Sequence, residues 1–347
     1  MRVFFHLLVI MSMTAPPWFP VAAEVISPAG AESLPALMSQ SAMVLTGDVV
    51  SVEEVPITPV GSTKDYAPSR VFVAAVAINR IYKGQSDVRS IRIVYENPRG
   101  KSCFVSDCEK ISPGEYYLFF LEKIGTEYRL LNPQYGKFPL SRLHAATQVM
   151  GLAGIEADLV AGLNENDPKR LVTTVELFGS LGHVSSTEPL RAALAHGGGK
   201  SSPITQGAIY VSLFRLGDYS RLSESGAFIE TTTHDPQVSL LQQQLCAQIA
   251  AIRELQTSPT LITFSRSSTD QLRESAVHAL REMSATDAIP TFVAALDDPL
   301  QPVRYDAVLA LATLEKNWDL APSLQLFSEN EIKYITAWKN WWLKQAR

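Results

Sequence analysis

Two short stretches of this chain hold residues whose types and spacing could do chemistry. Cys103 and Cys108 lie close together in KSCFVSDCEK. Such a pair either oxidises to a disulfide or supplies half of a metal site. A metal would need a second CxnC or a nearby His, and the sequence offers neither. A disulfide closing a small loop is therefore expected in an oxidising compartment, adding roughly 2 kcal/mol through loop entropy. HGGGKSS (His196–Ser202) looks like the tail of a phosphate-binding loop. That loop needs G-x-x-x-x-G-K-[ST] between a strand and a helix. Here the position of the first glycine is held by Leu194, and EPLRAALA before it is helical in pattern. The glycines are read as ending one helix and Ser202-Pro203 as starting the next, with no nucleotide bound.

The remaining candidates thin out quickly. His144, His183, His196, His234 and His278 show no HExxH or paired ligand spacing. His278 is read as facing solvent or a neighbouring structural unit. There is no G-x-S-x-G, S-x-x-K or EF-hand loop. Glu53-Glu54 and Asp297-Asp298 are adjacent in sequence, so their side chains diverge, and both pairs are read as solvated charges. No catalytic residue, cofactor-binding residue or metal ligand is expected.

Composition limits the partners. The chain has 347 residues, 46% hydrophobic and 19% charged, with a formal charge of −5 and no Lys/Arg cluster. Without a basic face to neutralise phosphates, nucleic acid is not expected to bind. The N-terminus MRVFFHLLVIMSMTAPPWFPVAAE has the parts of a signal peptide: Arg2, an apolar run from Val3 to Met13, prolines, and small residues at Val21-Ala22-Ala23. Cleavage after Ala23 and export to the periplasm or the exterior follow. The run is too short to span a bilayer, which takes about 20 residues, and no later segment is a candidate span.

The elements that would position any site fall into two kinds. Met43–Val55, Ser69–Gly84, Ser90–Glu96, Glu115–Lys123 and Glu127–Asn132 read as strands separated by turn residues, after a short helix within Ala31–Gln40. A long, curving second strand suits a closed or nearly closed antiparallel barrel. The order GDVVSVE, VAINRIYKG, PGEYYLFFL and YGKFPL, over Ser33 to Leu140, resembles netrin-like or tissue-inhibitor-of-metalloprotease-like modules built on the OB fold. Those inhibitors set an N-terminal cysteine on the protease metal, whereas Ser33 to Ala42 contains none.

From Asp158 onward a helical period takes over. Apolar triads at i, i+3 and i+6 recur: Val175/Phe178/Leu181, Tyr210/Leu213/Leu216, Cys246/Ile249/Ile252, Val277/Leu280/Met283 and Val308/Leu311/Leu314. Their middle members are 35, 36, 31 and 31 residues apart, and each triad is one buried helical stripe. Pro189, Pro259, Pro290 and Pro322 follow the triads at the points where a second helix would open. LRESAVHAL, VRYDAVLAL and the loop LDDPLQP resemble HEAT repeats, and the resemblance implies an α-solenoid with B helices on its concave face. Cys246 holds a triad position and is read as a buried core thiol. Trp338, Trp341 and Trp342 in AWKNWWLKQAR are read as a terminal cap packed on the last unit, with an exposed interaction patch as the alternative.

The expected protein is two-domain: a signal peptide over 1–23, an all-β OB-like barrel over 24–142, a connecting helical half-repeat over 143–165, and an all-α HEAT-like solenoid over 166–347. Its expected function is non-enzymatic binding of a protein or peptide. The alternative is an enzyme or inhibitor site at the barrel–solenoid junction, near Leu140 to Leu163.

Overall fold

The computed structural model describes residues 33–55, 70–97, 111–132, 136–146, 149–182, 186–196 and 202–345. The signal-peptide segment, the Cys103–Cys108 pair and Gly197–Ser201 of the glycine run lie outside the described residues. Within them the expected class is found: a closed β-barrel followed by a helical stack.

The barrel is built from β1 (Met43–Val55), β2 (Arg70–Lys83), β3 (Ser90–Asn97), β4 (Tyr116–Ile124) and β5 (Glu127–Leu130). The order β1-β2-β3-β5-β4 closes on itself because β1 also pairs β4 antiparallel, Met43 opposite Leu121 and Asp48 opposite Tyr116. The β3–β5 contact is the parallel one. A short β6 (Lys137–Pro139), not foreseen as a strand, extends the β4 edge that β5 leaves free. Met43, Leu45, Phe72, Ala74, Val76, Ile91, Ile93, Tyr117, Phe119 and Leu121 fill the interior at every second position.

The run YYLFFL in β4 is apolar throughout because both of its faces are buried. Tyr117, Phe119 and Leu121 point into the barrel. Tyr116, Leu118 and Phe120 point outward into a second core shared with the helices. α1 (Leu34–Gln40), capped by the Ser33 side chain, lays Leu34 and Leu37 on this outer wall. α2 (Gly151–Gly162) adds Ile155 and Leu159.

Five helix pairs then stack. The first members are α3 (Pro168–Gly179), α5 (Pro203–Arg215), α7 (Pro236–Ala250), α9 (Asp270–Glu282) and α11 (Gln301–Leu314). The second members are α4 (Thr187–His196), α6 (Leu222–Glu230), α8 (Ser258–Phe264), α10 (Ile289–Ala295) and α12 (Leu324–Gln345). First-turn prolines open most of them, and Asp167, Ser202 and Asp235 cap α3, α5 and α7 through their side chains. Every triad side chain is buried except Met283 and Leu314, which are partly buried against the same core. Between α3 and α5 the approach is close: a Cβ on Gly179 would come within 2.9 Å of the Ser212 backbone, and Ser212 Oγ donates to Val175 O at 2.9 Å.

Irregularities in the β1–β2 ladder decide what faces the helices. Thr46 pairs Arg80 while Gly47 pairs Ile78, so Asn79 is an extra residue, and Tyr82 is extra between Lys83 and Ile81. On an unbroken strand Arg80 and Tyr82 would share the inward parity of Phe72, Ala74 and Val76. The bulge at Asn79 resets that parity: Ile81 packs on the barrel core, while Arg80 and Tyr82 turn outward. Gly47 is required opposite the bulge, since a Cβ there would come within 2.5 Å of Ala77 O. Gly47→Ala is therefore expected to cost about 1–3 kcal/mol through overpacking, read as a lower denaturant midpoint. An unchanged midpoint would mean the two strands can separate freely at the bulge.

Candidate functional site

The outward turn of Arg80 and Tyr82 brings them to Asp158, on the barrel-facing side of α2. This carboxylate is almost fully buried and accepts four hydrogen bonds. Arg80 Nη1 donates to Oδ1 at 2.8 Å and the Ala145 amide to the same oxygen at 2.8 Å. Tyr82 OH donates to Oδ2 at 2.6 Å, and His144 Nδ1 lies 3.1 Å from it. On its other side the imidazole places Nε2 3.0 Å from the Tyr116 hydroxyl; in the neutral tautomer whose Nδ1–H donates to Asp158, Nε2 accepts from that hydroxyl. Arg80 Nη2 donates to Ala145 O at 2.6 Å, so the guanidinium and the carboxylate hold the Ser141–Ala146 strap from both sides.

Each member is placed by a different element: Arg80 and Tyr82 by β2, Tyr116 by β4, His144 by the strap, Asp158 by α2. Arg142 at the start of the strap pairs with Asp48 of β1 at 2.7 Å, donates to Gly114 O, and lies 5.7 Å from the Tyr116 ring. Gly154 in α2 is required by the Val149 carbonyl, which a Cβ there would meet at 2.0 Å, and the Tyr82 ring packs 3.1 Å from the same point. Burial, then the neighbouring Asp158 carboxylate, pushes the Tyr82 hydroxyl well above the usual phenol range, and burial does the same to Tyr116.

The alignment Asp158–His144–Tyr116 has the order of a carboxylate–imidazole–hydroxyl relay. Its terminal hydroxyl, however, is buried in the wall between barrel and helices. As built, the arrangement joins the barrel to α2, with the Asp158 carboxylate and the Tyr116 hydroxyl buried and the Arg80 and His144 side chains 16% and 18% exposed.

The sequence-predicted residues lie elsewhere. Cys246 is buried in α7, and burial pushes its thiol up to about 12, so it stays protonated at neutral pH. Trp338 is fully buried in α12, with Trp341 edge-on at 5.4 Å and Trp342 half-buried beyond it. His196 ends α4 and Ser202 caps α5, so the glycine run joins a second helix to the next first helix. His278 faces its neighbour unit, with Nδ1 3.0 Å from Asp306, and Arg281 holds the same carboxylate at 2.7 Å.

Asp298 corrects the reading of its pair as solvated: its side chain is buried and accepts from Arg273 at 2.9 Å, while Asp297 is exposed and pairs with Lys339. Arg273 and Arg304 occupy equivalent places 31 residues apart and do the same work. Each donates to a carbonyl of the preceding loop, Ser267 O or Asp298 O, and each reaches a carboxylate in a later helix or loop, Asp298 or Glu331. Arg191 and Asp218 make a similar tie at 2.6 Å. Burial alone would raise the Asp218 carboxyl, but the Ser220 amide and Arg191 outweigh it and hold it below the usual range.

No family model and no curated protein matches the chain. Chains of solved structures do. One is the complex of CpcE and CpcF of phycocyanin lyase from Nostoc sp. PCC7120, at 19% identity and a TM-score of 0.33, covering 52% of this chain and 69% of that one. Another is an engineered protein, at 15% identity and a TM-score of 0.31, covering 53% of this chain and 51% of that one. A third is a designed armadillo repeat protein in complex with a (KR)4 peptide, at 17% identity and a TM-score of 0.31, covering 52% of this chain and 96% of that one. The barrel's resemblance to netrin-like modules gains nothing from these matches.

Asp158→Ala strands the Arg80 guanidinium at a mostly buried position and is expected to cost about 3 kcal/mol. Denaturation of the single and Arg80→Ala/Asp158→Ala double variants checks this, the double losing less than the sum of its parts. The raised tyrosines set the pH dependence. Below about pH 10 both folded and unfolded states hold these protons, and the stability is fully present. Above it only the unfolded state releases them, so stability falls as pH rises. A Tyr82→Phe/Tyr116→Phe variant should show a flatter decline between pH 10 and 11 than the parent, and an identical slope would sink the assignment.

Proposed function

We propose that the chain is an exported, non-enzymatic binding protein that takes a protein or peptide along the second helices of its stack. The supporting observation is a column of small side chains. Ala227, Thr263 and Ala294 are exposed on α6, α8 and α10 and are 36 and 31 residues apart, the same steps as the buried triads. They therefore hold equivalent places on successive units, on the side away from the core. Small residues at such places leave the helix backbones within reach of an extended chain. The exposed Pro259 and Pro290 edge the column on its N-terminal side. A solenoid of this kind offers one continuous surface, and the barrel closes its first end.

Export rests on the signal-peptide pattern, and the Cys103–Cys108 disulfide is expected as its consequence; both lie outside the described residues. A second reading, reaction chemistry at the junction, draws on the Asp158–His144–Tyr116 alignment. It requires the strap to open, because the Tyr116 hydroxyl is buried.

A photo-crosslinking amino acid at Ala294 and, as a control, at the exposed Ala247 of α7 tests the preferred reading in extracts of the cell envelope and medium. A discrete adduct from position 294 and none from 247 is the expected outcome. Equal adducts from both positions, or none from either, count against a docking surface on the second helices.

A further inference from the structure

The Asp158 junction has one polar atom left over. Thr46 stands in the middle of the outward wall of the barrel, paired with Arg80 on the β2 side and Leu118 on the β4 side. Its side chain is fully buried, and Oγ1 makes no hydrogen bond of ordinary geometry. It lies against the hydroxyls of Tyr82 and Tyr116 and favours the ionised form of both. Buried hydroxyls are nearly always bonded, so a free one beside two phenols calls for a reason.

The neighbouring imidazole supplies one. With His144 neutral, Nδ1–H donates to Asp158 and Nε2 accepts from Tyr116, so the Thr46 oxygen is idle. A proton added to the ring goes to Nε2 and makes it a donor. Tyr116 must then accept from the ring and send its own hydrogen elsewhere. At 1% exposure it is out of reach of solvent, and the acceptor beside it is Thr46 Oγ1. The Thr46 hydrogen can in turn go to the Tyr82 oxygen, because Tyr82 donates to Asp158 and keeps lone pairs that accept.

We propose that the junction is a latch that takes up a proton in mild acid without opening: His144 is protonated at Nε2 while Tyr116 rotates its hydroxyl hydrogen from His144 to Thr46. The groups that face the ring from each element allow this. Asp158 of α2 lies 3.1 Å from Nδ1 and shares its charge between the ring and Arg80 of β2. Tyr82 of β2, its hydroxyl raised by burial, stays neutral. Beyond Tyr116 of β4, Asp48 of β1 acts on the phenol and is paired with Arg142 of the strap. The ring's added charge therefore meets a carboxylate directly, and the 18% exposure of its side chain keeps it in touch with water. The bonds from Arg80 to Ala145 O and from the Ala145 amide to Asp158 are the same in both states, so the strap stays fastened.

Removing only the spare acceptor separates the two charge states. Thr46→Val leaves every bond of the neutral ring in place, so its denaturant midpoint at about pH 8 should match the parent's. It disfavours the charged ring in the folded state alone. Its midpoint should therefore drop below the parent's as the pH falls to about 5, through the range where an imidazole gains its proton. Thr46→Ser keeps the oxygen and should follow the parent throughout. In a His144→Gln background the Thr46→Val difference should no longer change with pH. A difference that is the same at both pH values, or that still grows in acid without His144, overturns the proposal. So does a Thr46→Ser variant as acid-sensitive as Thr46→Val. Nitrogen NMR of the unsubstituted chain gives a second readout that depends on no variant folding: Nε2 of His144 bare at about pH 8 and protonated at about pH 5, with the fold retained. A ring that is still neutral at the lower pH, or barrel–helix contacts that are lost as it charges, overturns the proposal as well.

Discussion

One buried carboxylate ties the two halves of this protein together. Asp158 of α2 receives a guanidinium and a phenol from β2 and an imidazole and a backbone amide from the strap. A carboxylate this deeply buried would be costly if any of those donors were missing. The cost gives the contact its specificity: the barrel, the strap and α2 satisfy Asp158 only in one mutual arrangement. The apolar contacts of the same wall, Tyr116, Leu118 and Phe120 against Ile155 and Leu159, supply non-directional attraction. They would tolerate some sliding, and the hydrogen bonds to Asp158 do not.

The barrel contributes to this arrangement through a defect. A regular β2 would send Arg80 and Tyr82 into the barrel interior, where a guanidinium has no partner and no room. The extra residue at Asn79 reverses the parity of the last part of the strand, and Gly47 accepts the resulting close approach of Ala77. A departure from ladder geometry of one residue thus decides whether the domains are joined by a salt bridge or burdened with a buried charge.

The stack follows a different logic. Its units are held by repeated, near-equivalent contacts: triad side chains within, and Arg273, Arg304 and Arg191 bridging to carboxylates in later segments. Such a ladder is extensible, and where it begins it needs a cover of its own. The barrel wall supplies that cover. The small-residue column on the second helices leaves a long surface exposed.

Much of this was legible in the residues alone. Strand limits for β1 and β4, the helical period, the proline-opened second helices and the burial of Cys246 all follow from local alternation and spacing, which depend on a few neighbouring residues. The run YYLFFL marked a strand, but that both of its faces are covered only the packing shows. The junction was not legible: Arg80 and Asp158 are 78 residues apart, belong to different periodicities, and match no spacing rule. The bulge that turns Arg80 outward leaves no mark in VAINRIYKG. Asp298 was misjudged for the same reason, since its partner Arg273 belongs to the preceding helix pair. Local pattern determines which residues are helical, extended or buried, because those choices are settled by nearest neighbours. Which buried charges meet is settled by the packing of whole elements, and only the tertiary structure decides that.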